Sequence, residues 1–286
     1  MSFTQENINY ITQIQFNIFS NENIINNSSI TEKDGIVIPE TYDGGEPKRG
    51  GIVDTRLGIT DGNLECAYCG LNANNCPGHF GHTQLAQPIF HYGFLNHVRN
   101  ILSCICLKTS KLLIDKESPE IKKLLNLNKR NRFNEIKILS KKILVSDVGI
   151  PVHKIKEEIK NSIINFVAEY NIVNNQDSSK KKIKEYLSAI DVYKILKNIS
   201  NEDWKFLGFD SHMYRPEDFL IINLPIPPVT IRPSLKTEFL ALSTFEDSLI
   251  HILVEILKSN NKLKKINEHP KVENKYDKDT VNLLQY

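Results

Sequence analysis

The sequence lacks several features that would assign it to common classes of protein. It has no apolar run long enough to span a bilayer and no opening segment that resembles a secretory signal peptide, so we expect a soluble, intracellular protein. Its formal net charge is only +2, so nucleic-acid contacts would have to come from local basic clusters. It has five cysteines in 286 residues and none after Cys106. Such clustered usage indicates metal binding in a reducing compartment and argues against a disulfide framework.

The most specific motif lies in residues 64–82. Two residues separate Cys66 from Cys69, and two residues, Pro and Gly, separate Cys76 from His79. Zinc prefers four thiolate or imidazole ligands at tetrahedral corners, and each of these spacings lets a tight turn present two of them. The pattern therefore predicts one structural zinc ion, held by Cys66, Cys69, Cys76 and His79.

Two alternatives concern the same motif. A catalytic zinc, as in a zinc hydrolase, would keep one coordination position open for water, whereas this motif supplies four close ligands. His82 and His91 are nearby imidazoles, and either one competes with His79 for the fourth position.

The remaining chain shows alternating helical and extended patterns. Apolar residues at every second position, Ile14, Phe16 and Ile18, predict a half-buried strand. Residues 21–63 are rich in Gly, Asn and Pro and are expected to form extended chain and turns. Residues 116–187 are weakly patterned, and the Lys run at 180–184 is interpreted as a flexible, solvated tip.

Several helices and one further strand are predicted from spacing and capping residues. Phe94 to Ile105 has one apolar face, and capping patterns begin at Ser188, Ser200 and Thr244. A buried strand at 219–222 leads into a stiff, Pro-rich segment. The core face of the helix after Thr244 is predicted to be Leu249, Ile252, Leu253, Ile256 and Leu257.

Several motifs together resemble the N-terminal region of the largest subunit of multisubunit DNA-directed RNA polymerases. The most specific is the string Cys76-Pro77-Gly78-His79-Phe80-Gly81-His82 after Cys66-x-x-Cys69. Weaker matches keep the family's order along the chain: Asp54-Thr55-Arg56-Leu57-Gly58, Leu224-Pro225-x-Pro227-Pro228, Arg232-Pro233-Ser234 and Leu283-Leu284-Gln285.

The resemblance implies an α+β fold: a mixed, mainly helical clamp with a zinc-bound loop module and small irregular sheets, not an independent compact single-core fold. Four parts are expected. They are a clamp-core strand with an extended segment (1–63), the zinc module and following helix (64–110), a clamp-head-like insertion with a Lys-rich tip (111–187), and a returning clamp core with a Pro-rich strand, a lid-like loop and a helix (188–286).

In this family the clamp closes over downstream DNA and holds the DNA–RNA hybrid. The expected partners are therefore the DNA template, the hybrid, the remainder of the largest subunit, and the second-largest and smaller subunits, with no membrane. Lys48, Arg49 and Arg56 form a basic stripe that is either a solvated loop or a phosphate contact. The resemblance adds Arg232 and Lys236, near the lid-like loop, as candidate contacts.

The family's catalytic Mg²⁺ is held by the Asp-rich string N-A-D-F-D-G-D, which does not occur in this sequence. We therefore expect nucleotidyltransferase activity only in a complete polymerase, with Mg²⁺ in its remaining part and this chain inactive alone. The expected chain is a piece of a longer subunit, from a split gene, an interrupted gene or a truncated frame. Its location would be the nucleus for a cellular polymerase, and the host cytoplasm or virion for a viral one. A different class, a free-standing zinc protein that binds nucleic acid or a transcription factor, stays open.

One departure from the family concerns a second zinc site. Family members commonly open that site with a C-x-x-C just after the first helix, where this chain has Cys106 and Thr109. Val148 stands where a later ligand would fall. A threonine hydroxyl is a poor zinc ligand, so we predict a single zinc ion and two buried thiols, Cys104 and Cys106.

Overall fold

The computed structural model describes residues 10–14, 16–145, 149, 151–160, 163–173, 180–236, 244–268 and 275–285. This part of the chain is a mixed α/β structure with small sheets, as predicted. Its eight α-helices are α1 Asn21–Asn26, α2 Leu95–Leu102, α3 Pro119–Lys122, α4 Lys129–Ser140, α5 Ala189–Lys197, α6 Asn201–Phe206, α7 Ser248–Glu268 and α8 Lys275–Gln285. Its nine strands are β1 Tyr42–Asp43, β2 Glu46–Pro47, β3 Gly81–Phe90, β4 His153–Lys160, β5 Ile163–Val173, β6 Lys180–Leu187, β7 Leu220–Ile226, β8 Leu235–Lys236 and β9 Thr244–Phe245.

The strands form three two-stranded ladders and one three-stranded sheet. β1 pairs with β2, β8 with β9, and β5 lies between β4 and β6, in every case antiparallel. The fourth unit, the antiparallel pair of β3 and β7, joins residues about 140 positions apart in the chain. Because β3 directly follows the Cys/His motif, this pair anchors that motif to the later half of the protein.

The ladder between β3 and β7 contains a long bulge. Gln84 is opposite Asn223, but the next paired residue of β3 is Ile89, opposite Ile221. Asn260 of α7 binds the backbone of the bulge: its Oδ1 accepts from Ala86 N at 2.7 Å, and its Nδ2 donates to the Gln84 carbonyl at 2.9 Å. A buried backbone needs such partners wherever a ladder is interrupted, so one amide side chain positions α7 on the strand.

A second amide side chain positions α8. Gln285 Oε1 accepts from Phe90 N at 2.8 Å, and its Nε2 donates to the Phe90 carbonyl at 3.2 Å. Both C-terminal helices are therefore fixed to β3 by side chains that imitate a neighbouring strand.

The apolar core of the described residues is divided into clusters. The largest surrounds the fully buried Trp204 and combines α2, α5 and α6 with Phe166 of the three-stranded sheet. A second contains Ile36, Ile52 and Ile226 and packs beneath α7. Small clusters form at the Cys/His motif and between β3 and α8.

Several local predictions are confirmed. Ser188 and Asp191 form a reciprocal capping box at the start of α5, and Ser200 accepts from Asp203 N at the start of α6. The strand predicted at 219–222 is β7, and the apolar helix after Phe94 is α2. Among the described residues, no helix is both long and apolar enough to cross a membrane.

The strand predicted around Ile14 is wrong. The described residues between 10 and 20 form neither helix nor strand, and Ile14 and Phe16 are 71% and 95% exposed. An alternating pattern becomes a strand only beside a partner, and none of the described strands pairs with it. The short helix α1, which follows the N-cap Ser20, falls within a segment predicted to be extended.

The predicted start and core face of the α7 helix are also corrected. Thr244 lies in β9, and Asp247 caps the helix instead by accepting from Leu249 N at 2.8 Å. Ile252 is 56% exposed, and the buried face is turned towards Ile250, Leu253, Leu257 and Leu263. Of the five residues predicted for the core face, Leu253 and Leu257 are buried, and Asn260 lies on the same buried side and binds β3.

The three-stranded sheet was not predicted, and the Lys run at 180–184 belongs to it. Lys180–Leu187 form β6, where Lys184 pairs with Glu158 of β4 at 2.7 Å. The residues just before this run, 174–179, and the candidate position Val148 lie outside the described residues.

Candidate metal centre

Two tight turns, at residues 66–71 and 76–79, bring three thiols and one imidazole together. In the first, Gly70 N donates to the Cys66 carbonyl at 2.8 Å and Cys66 N donates to the Leu71 carbonyl at 2.9 Å. Gly70 has φ +70°, a conformation that glycine adopts without strain. A short bridge between Glu65 and Asn72 closes this turn, which we call the metal knuckle (residues 65–72).

The distances among the four donors fit a tetrahedral metal ion. Cys69 Sγ lies 3.6 Å from Cys76 Sγ, which lies 3.6 Å from His79 Nε2. The ligand atoms of Cys66, Cys69, Cys76 and His79 all lie within 4.8 Å of one another. A tetrahedral zinc with Zn–S bonds of about 2.3 Å separates its sulfurs by about 3.8 Å. The cluster could therefore hold a metal ion and is consistent with structural zinc.

The surroundings of the site shift the pKa values of two thiols, in opposite directions. The imidazole of His79 and the backbone N–H of Leu71 lower the pKa of Cys69 to about 7. Burial raises the pKa of Cys76. Metal ligands must be thiolates, so an ion at this site would be bound with release of protons.

The two competing histidines are engaged elsewhere. His82 is 1% exposed, with its Nδ1 2.8 Å from Ser28 Oγ and its Nε2 3.3 Å from the Lys33 carbonyl. His91 accepts from Gly93 N through Nδ1 at 3.1 Å. Of the three imidazoles, the structure brings that of His79 to the thiols.

A buried ion pair supports the second turn of the site. Arg56 donates to both carboxylate oxygens of Asp54, at 3.1 and 2.8 Å, and to Glu32 at 2.9 and 2.7 Å. Burial raises the pKa of Asp54, but the hydrogen bonds from Arg56 and Gly50 outweigh this effect. The pKa of Asp54 is therefore lower than its usual value. The same turn offers the Leu57 carbonyl to His79 N at 3.1 Å. The ion pair therefore fixes the backbone at Leu57, to which the candidate ligand His79 is hydrogen-bonded.

The predicted nucleic-acid contacts lie in different surroundings. Arg232 is fully buried and donates to the Ile52 carbonyl at 2.7 Å and to the Pro227 carbonyl, and burial lowers its pKa to about 10. Arg49 is exposed, whereas Lys48 is half-buried and lies 3.6 Å from Glu40. The backbone of Lys236 belongs to β8, and its side chain lies outside the described part.

Sequence reasoning missed the structural use of Arg56 and Arg232. Asp54, two positions before Arg56, was the available signal for a local pair. The acceptors of Arg232 are backbone carbonyls, one of them 180 residues away, which no side-chain pattern reveals.

The fold and this site define a mixed α/β scaffold that carries a Cys₃His cluster, which could hold a metal ion. The family model described as RNA polymerase Rpb1, domain 1, matches residues 8–286. The chain therefore belongs to the largest-subunit family of DNA-directed RNA polymerases and corresponds to an N-terminal region of that subunit, as the motifs predicted.

Two curated relatives agree with this family. DNA-directed RNA polymerase subunit 1 of Acanthamoeba polyphaga mimivirus is 40% identical over 271 residues, covering 91% of this chain and 18% of the viral protein. DNA-directed RNA polymerase II subunit RPB1 of Euplotoides octocarinatus is 37% identical over 254 residues, covering 86% of this chain and 52% of the relative. The chain thus spans about half of one relative and less than a fifth of the other.

Proposed function

We propose that this chain forms the clamp portion of a DNA-directed RNA polymerase and helps to hold DNA and the DNA–RNA hybrid during transcription. The main support is the match of residues 8–286 to a single family of largest subunits. Its partners would be the remainder of that subunit, the other polymerase subunits and the nucleic acid. The chain would recognise the sugar–phosphate backbone of the nucleic acid by its charge and shape and would not read base edges.

In this proposal one zinc ion is bound by Cys66, Cys69, Cys76 and His79 and is purely structural. It would supply folding free energy to a small module that has little apolar core of its own, because binding and folding are then one equilibrium. The protein's part is to hold four donors in place, through the metal knuckle and the Asp54–Arg56 pair.

The phosphate contacts are assigned to the exposed end of the basic stripe. Arg49 is exposed and Lys48 lies beside it, so both can approach a duplex. Arg56 and Arg232 are instead bound to groups of the chain itself, and their role is to support the scaffold. Lys236 remains a proposed contact of the lid-like loop.

The experiment is a charge reversal at the stripe in the assembled polymerase. K48E/R49E should weaken retention of a DNA–RNA scaffold and reduce the slope of log affinity against log salt by about two, roughly one for each phosphate contact. Arg130→Glu, at an exposed arginine of α4, is the matched control and should leave the slope unchanged. Equal slopes for all three proteins would refute the assignment.

We propose that catalysis belongs to the complete polymerase and that the isolated chain is inactive. A tagged chain expressed with the rest of the polymerase should co-purify with the second-largest subunit. The purified complex should catalyse template-dependent RNA synthesis. The chain purified alone should incorporate no nucleotides. A tagged chain that stays monomeric in the presence of the other subunits would support a free-standing zinc protein instead.

A further inference from the structure

The backbone of the metal knuckle occurs a second time in this chain, forty residues later. Ser110 N donates to the Cys106 carbonyl at 2.8 Å, as Gly70 N does to Cys66, and Cys106 N donates to the Lys111 carbonyl at 2.8 Å, as Cys66 N does to Leu71. A bridge between Ile105 and Leu112 closes this second knuckle (residues 105–112) as Glu65 and Asn72 close the first.

The copy extends to an unusual backbone angle. Ser110 has φ +56° at the position of Gly70, and it is the only described residue other than glycine with a positive φ. L-residues avoid this region, so the local structure must hold Ser110 in place. A random turn would not keep such a conformation.

The donor set of a metal site is not repeated. Thr109 occupies the position of Cys69, and the sequence has no cysteine beyond Cys106. Among the described residues, the one group of three or more close metal-binding side chains is that of Cys66, Cys69, Cys76 and His79. The residues present at the second knuckle therefore do not fit the zinc ion that the resemblance implies.

Protein groups fill the space beside the second knuckle. Cys106, Leu113, Pro151, His153 and Tyr170 line a cavity of only about 10 Å³, at the lower limit for one water molecule. His153 of β4 and Tyr170 of β5 are paired across the sheet, with ring centroids 5.9 Å apart.

His153 also connects the sheet to the helix before the knuckle. Its Nε2 lies 3.0 Å from the carbonyl of Leu102, the last residue of α2. His153 is 6% exposed, so this hydrogen bond is shielded from water. One side chain thus bridges two elements on either side of the knuckle, which is what an ion does in a metal site.

We propose that residues 105–112 form a metal-independent knuckle in which the His153–Tyr170 pair replaces the ion as the anchor between the turn and the three-stranded sheet. The two knuckles then respond differently to a chelator, one depending on metal and the other on packing. This inference stands on the local geometry and does not depend on the proposed role in transcription.

The first test measures metal content and thiol reactivity in the full zinc-loaded chain, purified with its partner subunits. We expect one zinc per chain, and an increase of about a hundredfold or more in iodoacetamide labelling of Cys66, Cys69 and Cys76 after chelation, because local unfolding exposes them. Labelling of Cys106, followed by peptide mass spectrometry, should rise less than about twofold. Two zinc ions per chain, or release of Cys106 in parallel with Cys66, would overturn the proposal.

Variants test the anchor directly while the metal site stays intact. His153→Ala should increase Cys106 labelling at least about tenfold with the zinc content unchanged, because the bridge to Leu102 is lost. His212→Ala removes an exposed histidine and is the matched control, with no expected change. Thr109→Cys restores the C-x-x-C spacing but should still bind one zinc per chain. Protection of Cys106 in the His153 variant, or a second ion in the Thr109 variant, would contradict the inference.

Discussion

The buried Asp54–Arg56 pair allows a quantitative test of how the scaffold holds the metal module. Arg56→Met keeps most of the apolar stem and removes the guanidinium. In the unsubstituted protein, the Asp54 carboxylate accepts four N–H bonds, from Gly50 N at 2.6 Å, Arg56 N at 2.9 Å, and Arg56 Nε and Nη2 at 3.1 and 2.8 Å. The variant keeps the two backbone donors on a side chain that is 1% exposed.

Removing one partner of a buried ion pair costs about 3–5 kcal/mol. The two remaining backbone bonds place the expected loss at the lower end, about 3 kcal/mol, which is roughly a 150-fold change in the opening equilibrium. The pair with Glu32 adds little, because the Glu32 side chain is 49% exposed and such pairs contribute about 0–1 kcal/mol.

Hydrogen exchange measured by mass spectrometry on the zinc-loaded chain can resolve this loss locally. Amides of residues 50–58, and that of His79, should exchange roughly 150-fold faster in Arg56→Met, since His79 N is bonded to the Leu57 carbonyl. Amides of α5, in the other large core cluster, should change little. Glu32→Gln is the control and should change exchange by less than about fivefold. If Arg56→Met also stayed within fivefold at residues 50–58, the guanidinium would not be stabilising the buried carboxylate.

Four further changes have defined outcomes. Cys69→Ser should lower zinc affinity by at least about a hundredfold in chelator competition. The change removes a direct ligand, and loss of a group that only hydrogen-bonds to a ligand already costs about 10–100-fold. Gly78→Ala should destabilise the chain by about 2–4 kcal/mol in urea unfolding, since φ is +81° and the new Cβ would lie 2.7 Å from Pro228 Cβ; an unchanged midpoint would refute the packing. Asn260→Leu should cost about 2–4 kcal/mol by the same assay, because it leaves two part-buried backbone groups of β3 unpaired, and equal stability would mean that the bulge is hydrated. Burial lowers the pKa of His153, so the unfolded chain binds the proton first and stability should fall as pH drops below about 6.5; His153→Gln should flatten this fall between pH 7.5 and 5.5, measured as the difference in urea midpoint.

The candidate site could be predicted from sequence because its geometry is local. Its four donors lie within fourteen residues, and the turns that orient them need only the intervening glycines and the proline. What could not be predicted is how the site is supported. The Leu57 carbonyl accepts a hydrogen bond from His79 N, and the turn that holds Leu57 is fixed by the ion pairs of Arg56 with Glu32 and Asp54. Pairing between charges that are distant in the chain produces no periodic pattern in the sequence.

The same distinction between local and distant causes explains the fold. Capping by Ser188 and Ser200 depends on residues three positions away and was predicted correctly. Strand β3 contains Pro88 and a bulge and shows no alternation; it is a strand because β7 and Asn260 supply its partners. Thr244 and Asp247 are both good caps, and pairing of Thr244 in β9 determines which one begins the helix.

The edge strands of the three-stranded sheet show why charge can conceal a strand. Lys156 of β4 pairs with Glu169 of β5 at 2.7 Å, and Lys184 of β6 pairs with Glu158 of β4 at the same distance. Read along the chain, these residues are a polar, Lys-rich stretch typical of a solvated loop. Across the sheet they are neutralised partners, which single-sequence patterns do not display.

The amide contacts of Asn260 and Gln285 with β3 have a consequence for synthesis on the ribosome. The metal knuckle and its second turn are complete by residue 79, whereas β3 acquires its partner strand after residue 220 and its amide clamps 174 and 195 residues later. At about 5–20 residues per second, the edge of β3 would stay unpaired for roughly 7–27 s before β7 is made, and the contact with Gln285 would form only after roughly 10–40 s. Metal binding at the adjacent turn can occur throughout that interval. A metal ion bound at that turn would therefore fix the start of β3 before its partner strand is made.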